Sequence, residues 1–212
     1  MTRLLIAGAT GLVGGLALQR ALADPRVARV IAPTRRALEP HPQLDNPLVD
    51  FAALPDAANW WAVDGAIGAL GTTRGTAGSA AAFRRVDFEI ALDLARRVRA
   101  AGATCFALTS SMGANPRSHL LYPRTKGELE DAVRALGFPS LTIVRPGLLG
   151  GDRHEFRAGE RVAAAILRAA TPVLPRRYRI SPADAVARML VNAAVAAPPG
   201  VAIVEADRLA AP

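Results

Sequence analysis

Short apolar runs alternate with amphipathic segments along the whole chain. Seven runs predict strands, at residues 3–7, 27–32, 48–50, 65–70, 104–109, 141–144 and 201–205. The segments between them predict helices at 12–23, 79–101, 124–136, 161–170 and 182–196. Alternation of strand and helix is typical of βαβ units. The pattern therefore predicts one α/β domain with a Rossmann-type, doubly wound and mostly parallel sheet.

The longest predicted helix, 79–101, has a single apolar face. Its apolar residues recur in steps of three and four positions: Phe83, Val86, Ile90, Leu94 and Val98. Ser79 is a suitable N-cap, and Gly102 is a suitable stop after the last turn. One stripe of this helix is expected to face the sheet.

No internal repeat or low-complexity linker divides the chain of 212 residues. After Gly147 only 65 residues remain, and two helices and a strand use most of them. We therefore expect one domain over residues 1–212, in which about 148–200 contribute a small substrate lobe or lid.

The formal net charge of +8 raises the question of nucleic-acid binding. Arginine doublets are spread over the chain, at 35–36, 84–85, 96–97 and 176–177, without a long basic block. Only 5% of the residues are aromatic, too few for a platform that stacks bases. One polyanionic cofactor explains the charge better than a nucleic acid does.

The chain contains no run of about 18 uncharged apolar residues, so no membrane segment is predicted. Glycines follow the first strand too early for a secretory signal peptide. The expectation at this point is a soluble, cytoplasmic protein. The single cysteine, Cys105, lies in an apolar run and is expected to be a small core residue.

The first strand leads into a G-x-x-G-x-x-G turn that opens a helix. Glycines here allow a sharp reversal, close approach of a pyrophosphate, and tight packing of helix on strand. N–H groups at the start of the helix then face the anion. The predicted cofactor contacts in this turn are Gly8, Thr10, Gly11, Leu12, Val13 and Gly14.

Cofactor choice is predicted from the end of the second strand. An NAD-selective site usually places an acidic residue there, whereas this chain has Arg35 and Arg36. Two guanidinium groups suit a 2′-phosphate, which favours NADP(H) over NAD(H). Asp50 is a candidate acceptor for the adenine amino group. At the end of the fourth strand, small residues are expected to run beneath the cofactor ribose: Leu70, Gly71 and Thr72.

The candidate catalytic residues follow the fifth strand. Tyr122 and Lys126 are four residues apart and share one face of a helix, where a nearby ammonium favours ionisation of the phenol. Lys126 is the only lysine beside 25 arginines, and Tyr122 is one of two tyrosines. A compact ammonium can approach a tyrosine and also bind ribose hydroxyls, so Tyr122 and Lys126 are also predicted cofactor contacts. Ser110 and Ser111 precede the pair, and either can hold a substrate oxygen in line for proton transfer.

The turn after the sixth strand contains Pro146 and Gly147, whose backbone is a candidate contact for the nicotinamide amide. Arg157 is a candidate contact for a cofactor phosphate or an anionic substrate. The histidines lie in polar or charged stretches, and no pair of cysteines or close cluster of carboxylates is present, so no metal site is predicted.

Together these motifs resemble the short-chain dehydrogenase/reductase superfamily in its atypical, extended-like branch. GATGLVG, LGTTRGTAGS, SSMGA, YPRTKGELE and VRPGLLGGDR are most similar to the Tat-interacting-protein type of NADPH-binding oxidoreductase. The resemblance implies a Rossmann fold, NADPH as ligand, Tyr122 as proton donor or acceptor with Lys126 as its partner, and a serine at 110 or 111. Ser111 and Tyr122 are only eleven residues apart, closer than is common among ordinary reductases.

Three functions remain open at this stage. The first is reduction of a small carbonyl compound by NADPH, by a monomer or homodimer without a nucleic-acid or membrane partner. The second is an NADP(H)-binding, redox-sensing regulatory protein with little or no turnover. The third is an enzyme similar to nucleotide-sugar epimerases, for which the short C-terminal part leaves little room. The sequence does not identify the substrate.

Overall fold

The computed structural model describes residues 1–150, 175 and 178–209. The strands are β1 (Thr2–Ala7), β2 (Val27–Ile31), β3 (Leu44–Asp45), β4 (Gly65–Gly68), β5 (Cys105–Thr109), β6 (Ser140–Arg145), β7 (Leu149–Gly150), β8 (Ser181–Pro182) and β9 (Gly200–Glu205). The α-helices are α1 (Leu12–Ala23), α2 (Arg74–Ala77), α3 (Ala80–Arg84), α4 (Ala91–Ala100), α5 (Leu121–Arg134) and α6 (Ala183–Ala196). A π-helical segment, Arg85–Ile90, joins α3 to α4.

Seven strands form one parallel sheet in the order β3-β2-β1-β4-β5-β6-β9. The strand order reverses between β1 and β4, because β2 and β3 lie on one side of β1 and the later strands on the other. Open α/β sheets bind ligands at such a switch point, beyond the carboxyl ends of the strands. This confirms the predicted Rossmann-type α/β fold. The strands β7 and β8 form a separate two-stranded pair.

The core consists of two apolar layers, one on each face of the sheet. Along β1, Leu4 and Ile6 belong to the layer that also contains α1 and α6. Leu5 and Ala7 belong to the opposite layer, with α4 and α5. Successive side chains of a strand point to opposite faces, so a strand covered by helices on both sides must be apolar throughout. This explains the continuous apolar run at 4–7.

Two predicted boundaries are wrong. The third strand is Leu44–Asp45 rather than 48–50, and Leu48 forms only an isolated bridge with Thr34. The proline-rich stretch obscured it, because prolines flank the two residues that pair. The predicted helix 79–101 is interrupted by the π-helical segment, although its N-cap at Ser79 is confirmed by a hydrogen bond from Ala82 N.

The second half of the chain completes the sheet. Helix α5 begins at Leu121, three residues before the predicted start, and α6 and β9 match their predicted positions closely. The predicted helix 161–170 lies outside the described residues. Cys105 is buried in β5, as expected of a core residue. Across the described residues, no helix combines the length and apolar character needed to span a membrane.

Candidate functional site

The glycine turn after β1 is closed so tightly that two of its positions exclude a side chain. Gly8 has a φ of +91°, and a Cβ there would lie 2.5 Å from the carbonyl oxygen of Ala69. A Cβ on Gly14 would lie 2.0 Å from the carbonyl oxygen of Gly8. These distances show that the turn, the start of α1 and the end of β4 meet at one point. That is the physical need behind the glycine pattern.

The N-terminus of α1 is open to a ligand. Its N-cap, Gly11, has no side chain to cap the helix, and the first turn contains no acidic residue. The side chain of Val13 is buried in the core, so Val13 offers a ligand only its backbone N–H group, whereas Leu12 is partly exposed. The N–H groups of a first turn have no partner inside the helix and, with the helix dipole, favour an anion.

A cleft of about 630 Å³ lies at this end of the sheet. It brings together nine of the residues predicted to bind a cofactor: Gly8, Thr10, Gly11, Arg35, Arg36, Asp50, Leu70, Gly71 and Thr72. Seven other predicted cofactor contacts do not line it: Leu12, Val13, Gly14, Tyr122, Lys126, Pro146 and Gly147. Arg157 lies outside the described residues.

The loop that carries the arginine pair is held by Asn46. The Asn46 side chain donates hydrogen bonds to Ala32 O at 2.6 Å and to Thr34 Oγ1 at 2.7 Å. Thr34 Oγ1 in turn donates to the carbonyl oxygen of Arg36 at 2.6 Å. The backbone of the loop is therefore ordered, while the two arginine side chains project into solvent at the cleft.

A third arginine, Arg85, lines the same cleft from the π-helical segment. Within the described part of the chain, no guanidinium of Arg35, Arg36 or Arg85 forms an ion pair or a hydrogen bond. Other arginines of the fold, such as Arg29 and Arg145, are paired with carboxylates. Three unpaired cations in one cleft make it strongly attractive to an anion.

Asp50 is the acidic residue of this cleft. Its Oδ1 accepts a hydrogen bond of 2.8 Å from Ala52 N, which closes the turn after the Leu48 bridge. The second carboxylate oxygen remains for a ligand. Contact with an adenine amino group therefore stays a prediction.

Tyr122 and Lys126 lie on the first turns of α5, as their spacing predicts. Tyr122 is the second residue of the helix and is 46% exposed, and Pro123 occupies the first turn, where it costs no hydrogen bond. The Lys126 ammonium lies 6.0 Å from the centre of the Tyr122 ring. Gly127, the next residue, lets α5 pack closely on the loop before it, because a Cβ there would lie 2.3 Å from Pro116 N.

Lys126 reaches the wall of the cleft although it does not line it. Its Nζ forms an ion pair of 2.7 Å with Asp87 Oδ1, and both side chains are buried. A Cβ placed on Gly71, which lines the cleft, would lie 3.9 Å from Lys126 Nζ. The predicted reacting end and the predicted phosphate end are therefore adjacent, with Gly71 between them.

The structure separates the two candidate serines. Ser110 Oγ donates a hydrogen bond of 2.5 Å to Glu130 Oε1, and Glu130 is also paired with Arg145 and Arg134. Burial by itself raises the pKa of Glu130, but hydrogen bonds from Arg145 and Ser110 outweigh it, so the pKa lies below its ordinary value. The Ser110 hydroxyl is thus committed to a buried carboxylate.

Ser111 is differently placed. Among the described residues, its hydroxyl makes only a long contact of 3.4 Å to the carbonyl oxygen of Met112. The next N–H, of Met112, donates to Pro146 O at 2.8 Å, which joins this segment to the turn after β6. In that turn, Gly147 N donates to Ser181 Oγ at 3.0 Å. The Gly147 N–H therefore already has a hydrogen-bond acceptor within the protein. Contact of Pro146 and Gly147 with a ligand stays a prediction.

Four residues of this site were missed from the sequence: Arg85, Asp87, Gly127 and Glu130. Arg85 belongs to a doublet that looks like ordinary surface charge. Asp87 lies in the predicted helix 79–101 but outside its apolar stripe, so the period of that helix gave no sign that this carboxylate is buried. Glu130 was visible in the motif YPRTKGELE, where a carboxylate one turn after the lysine was a usable signal. The described part of the chain contains no cluster of three side chains suited to a metal ion.

Curated relatives align with most of the chain. It is 36% identical over 220 residues to the protein named "Protein fmp52, mitochondrial" of Aspergillus fumigatus, covering 94% of this chain and 92% of the relative. It is 36% identical over 210 residues to the protein of the same name of Aspergillus clavatus, covering 93% and 88%. The chain belongs to the FMP52 family.

Membership of the FMP52 family corrects one expectation. The relatives are named as mitochondrial proteins, including that of Candida albicans, which is 37% identical and covers 76% of this chain and 73% of the relative. The prediction of a cytoplasmic protein is therefore wrong. The lack of an apolar targeting run tests only for a secretory signal and does not distinguish the remaining compartments. No protein-family model matches the chain.

Solved structures share the fold of this FMP52-family chain. MoeE5 in complex with UDP-glucose and NAD has a TM-score of 0.72 at 18% identity, covering 95% of this chain and 74% of that one. The PhqB reductase domain from Penicillium fellutanum has a TM-score of 0.68 at 19% identity, covering 95% and 66%. A UDP-glucuronic acid 4-epimerase from Bacillus cereus in complex with NAD gives 0.70 at 14%, covering 96% and 78%. At such identities the likeness shows the fold, which is that of NAD-binding enzymes.

Proposed function

We propose that this FMP52-family chain is an NADPH-dependent oxidoreductase of the atypical short-chain dehydrogenase/reductase type that reduces a small carbonyl compound. The observation that carries the proposal is the set of three unpaired arginines, Arg35, Arg36 and Arg85, in the cleft that begins at the glycine turn. The resemblance to the Tat-interacting-protein type agrees with this choice of cofactor.

The residues present fit a dinucleotide phosphate. Gly8 and Gly14 leave no room for side chains where a pyrophosphate must approach, and the first turn of α1 presents N–H groups without an acidic neighbour. Arg35 and Arg36 follow β2, where a 2′-phosphate is expected to lie. Each charge-assisted contact at this partly exposed position is worth about 1 to 2 kcal/mol.

The proposed chemistry divides among three side chains. NADPH, when bound, supplies a hydride to the carbonyl carbon. Tyr122 donates the proton that the carbonyl oxygen requires, so a C–H and an O–H bond form as the C=O double bond becomes single. Ser111 orients that oxygen, and Lys126 binds ribose hydroxyls.

Calorimetry with NADPH and NADH tests the cofactor. We expect NADPH to bind roughly tenfold to several hundredfold more tightly, from two contacts of the size given above. Equal affinity for the two cofactors would reject the NADP(H) preference. Failure to bind either one would reject the proposed function.

Turnover is tested by NADPH oxidation with a panel of small aldehydes and ketones. Steady oxidation with at least one member supports the reductase. Tight binding of NADPH without turnover would favour the regulatory alternative, in which cofactor binding controls a protein contact. If the protein instead converts a nucleotide sugar in the presence of NAD, the alternative of an epimerase-like enzyme would be favoured.

A further inference from the structure

Asp87 is a buried carboxylate that none of the proposed steps uses. It is 1% exposed and lies in the π-helical segment between α3 and α4. Its Oδ1 pairs with Lys126 Nζ at 2.7 Å, and its Oδ2 accepts a hydrogen bond of 2.8 Å from Thr72 N. One side chain thus connects the candidate catalytic lysine to the loop that lines the cleft.

We propose that Asp87 is a positioning residue that holds the Lys126 ammonium against the Gly71–Thr72 loop, where it meets the nicotinamide ribose. The inference rests on the proposed function. It assigns to Asp87 a role in binding the nicotinamide half of the cofactor, exerted through Lys126, and none in binding the adenosine half.

The geometry of Gly71 supports this placement. A Cβ on Gly71 would lie 3.6 Å from Asp87 Oδ1 and 3.9 Å from Lys126 Nζ, so the ion pair lies directly behind the backbone of the cleft wall. Within the described residues, the Lys126 ammonium forms this ion pair but no hydrogen bond, and Asp87 Oδ1 likewise accepts none. An ammonium has three N–H donors, which leaves donors of Lys126 for the hydroxyl groups of a ligand.

The energetics argue against a pair kept for stability alone. Burying two charges costs several kcal/mol per ion before pairing, and apolar residues of similar size often stabilise a fold equally well. Asp87 also lies in a π-helical turn, a rare local geometry that is frequent at functional sites. In a regular α-helix the extra residue of that turn would be absent, and the face presented by position 87 would change.

Asp87→Asn tests the inference, because asparagine keeps an oxygen for the Thr72 N–H but removes the charge that pairs with Lys126. Affinity is measured by calorimetry for two probes, NADPH and adenosine 2′,5′-bisphosphate. The second probe contains the 2′-phosphate and lacks the nicotinamide ribose. We expect the Kd of NADPH to rise about tenfold or more and that of the bisphosphate to stay within about twofold.

Asp93→Asn is the matched control, since Asp93 lies on α4 and forms a surface ion pair with Arg97. It should leave both affinities unchanged. The double variant Asp87→Asn/Lys126→Met should bind NADPH no more weakly than Lys126→Met alone, because Asp87 acts through the lysine. Thermal unfolding should show the same coupling, since the double variant leaves no unpaired buried charge.

Three results would overturn the inference while the unmodified protein still binds NADPH: an unchanged NADPH affinity in Asp87→Asn, an equal loss for both probes, or additive effects in the double variant. The second result would mean that Asp87 only supports the fold. No binding of NADPH by the unmodified protein would reject the proposed function itself, and the positioning role with it.

Discussion

Ser110 donates its hydroxyl hydrogen bond to Glu130 at 2.5 Å, and this contact decides which of two adjacent serines is free for a substrate. Ser110 ends a network that continues from the buried Glu130 through the partly buried Arg145 to the exposed Glu205. Among the described residues, Ser111 has only its long contact with the neighbouring Met112 carbonyl. The two serines therefore have different expected roles, although nothing in their sequence positions separates them.

Replacement of each serine by alanine should separate turnover from stability. Ser111→Ala should lower kcat about tenfold to a hundredfold, because an orienting hydroxyl is lost, with little change in Tm. Ser110→Ala should lower Tm by a few degrees, since Glu130 loses a buried hydrogen-bond donor. Steady-state kinetics and thermal unfolding of both variants check this. A loss of turnover confined to Ser110→Ala would reverse the assignment.

Glu130 predicts a pH dependence of stability. Its pKa in the folded protein lies below the ordinary 4.5, despite burial, because Arg145 and Ser110 donate hydrogen bonds to the carboxylate. A carboxyl whose pKa is lowered by folding stabilises the folded protein at any pH above its pKa in the unfolded chain. This stabilisation is lost as the pH falls through its pKa in the folded protein. Glu130→Gln should therefore lower the free energy of unfolding most near pH 7, and the difference in stability from the unmodified protein should narrow below about pH 4.

Thermal unfolding from pH 3 to pH 8 measures this difference. Asp131→Asn is the matched control, because Asp131 is exposed and also pairs with Arg134. It should change Tm by less than about 2 °C at any pH. If the difference in Tm between Glu130→Gln and the unmodified protein were the same from pH 3 to pH 8, the charge of this carboxylate would not contribute to stability.

The arginines of the cleft should determine the cofactor preference jointly. Arg35→Ala/Arg36→Ala should erase most of the preference for NADPH, because the charge-assisted contacts with the 2′-phosphate are removed. Arg85→Ala should weaken NADPH binding by about threefold to thirtyfold. Arg96→Ala serves as the control, since Arg96 is an exposed arginine of α4 that does not line the cleft. Calorimetry that shows the same loss for Arg96→Ala would indicate only a general charge effect.

Tyr122→Phe removes the transferable proton and leaves the ring in place. Turnover should fall about a hundredfold or more, whereas NADPH affinity should change little, because phenylalanine keeps the ring and loses only the hydroxyl group. Tyr178→Phe, which removes the other tyrosine hydroxyl, is the control variant and should have the same kcat as the unmodified protein. Unchanged kcat in Tyr122→Phe would reject the proton-transfer role and favour the regulatory alternative.

The fold, and the meeting of most residues predicted to bind the cofactor phosphates in one cleft, were predictable from the sequence because they depend on local patterns. The alternation of strands and helices indicates the sheet, and the glycines mark a backbone that admits no side chain at Gly8 and Gly14. Arg35 and Arg36 are recognisable because the end of β2 has a fixed relation to the adenosine ribose. Each of these patterns can be recognised in a continuous stretch of sequence, without knowledge of contacts between distant segments.

The missed residues depend on contacts between distant segments. Asp87 meets Lys126 across 39 positions and acquires its orientation from a π-helical turn, which has no distinctive residue pattern. The third strand has only two residues, too few to show a period. The predicted lid with Arg157 lies outside the described residues.

Gly14 offers the sharpest test of the phosphate-binding turn, because its neighbour in α1 is also glycine. A Cβ on Gly14 would lie 2.0 Å from the Gly8 carbonyl oxygen, whereas a Cβ on Gly15 would lie 3.3 Å from that of Ala9. Both substitutions to alanine gain the same helix propensity, about 1 kcal/mol. Gly14→Ala must displace the backbone of the turn that is proposed to face the pyrophosphate, whereas at Gly15 a shift of a few tenths of an ångström relieves the contact. We expect Gly14→Ala to lower Tm and to weaken NADPH binding at least tenfold, while Gly15→Ala keeps its affinity within about twofold. Calorimetry and thermal unfolding of the two variants measure this, and equal NADPH affinities would show that the turn does not hold the pyrophosphate.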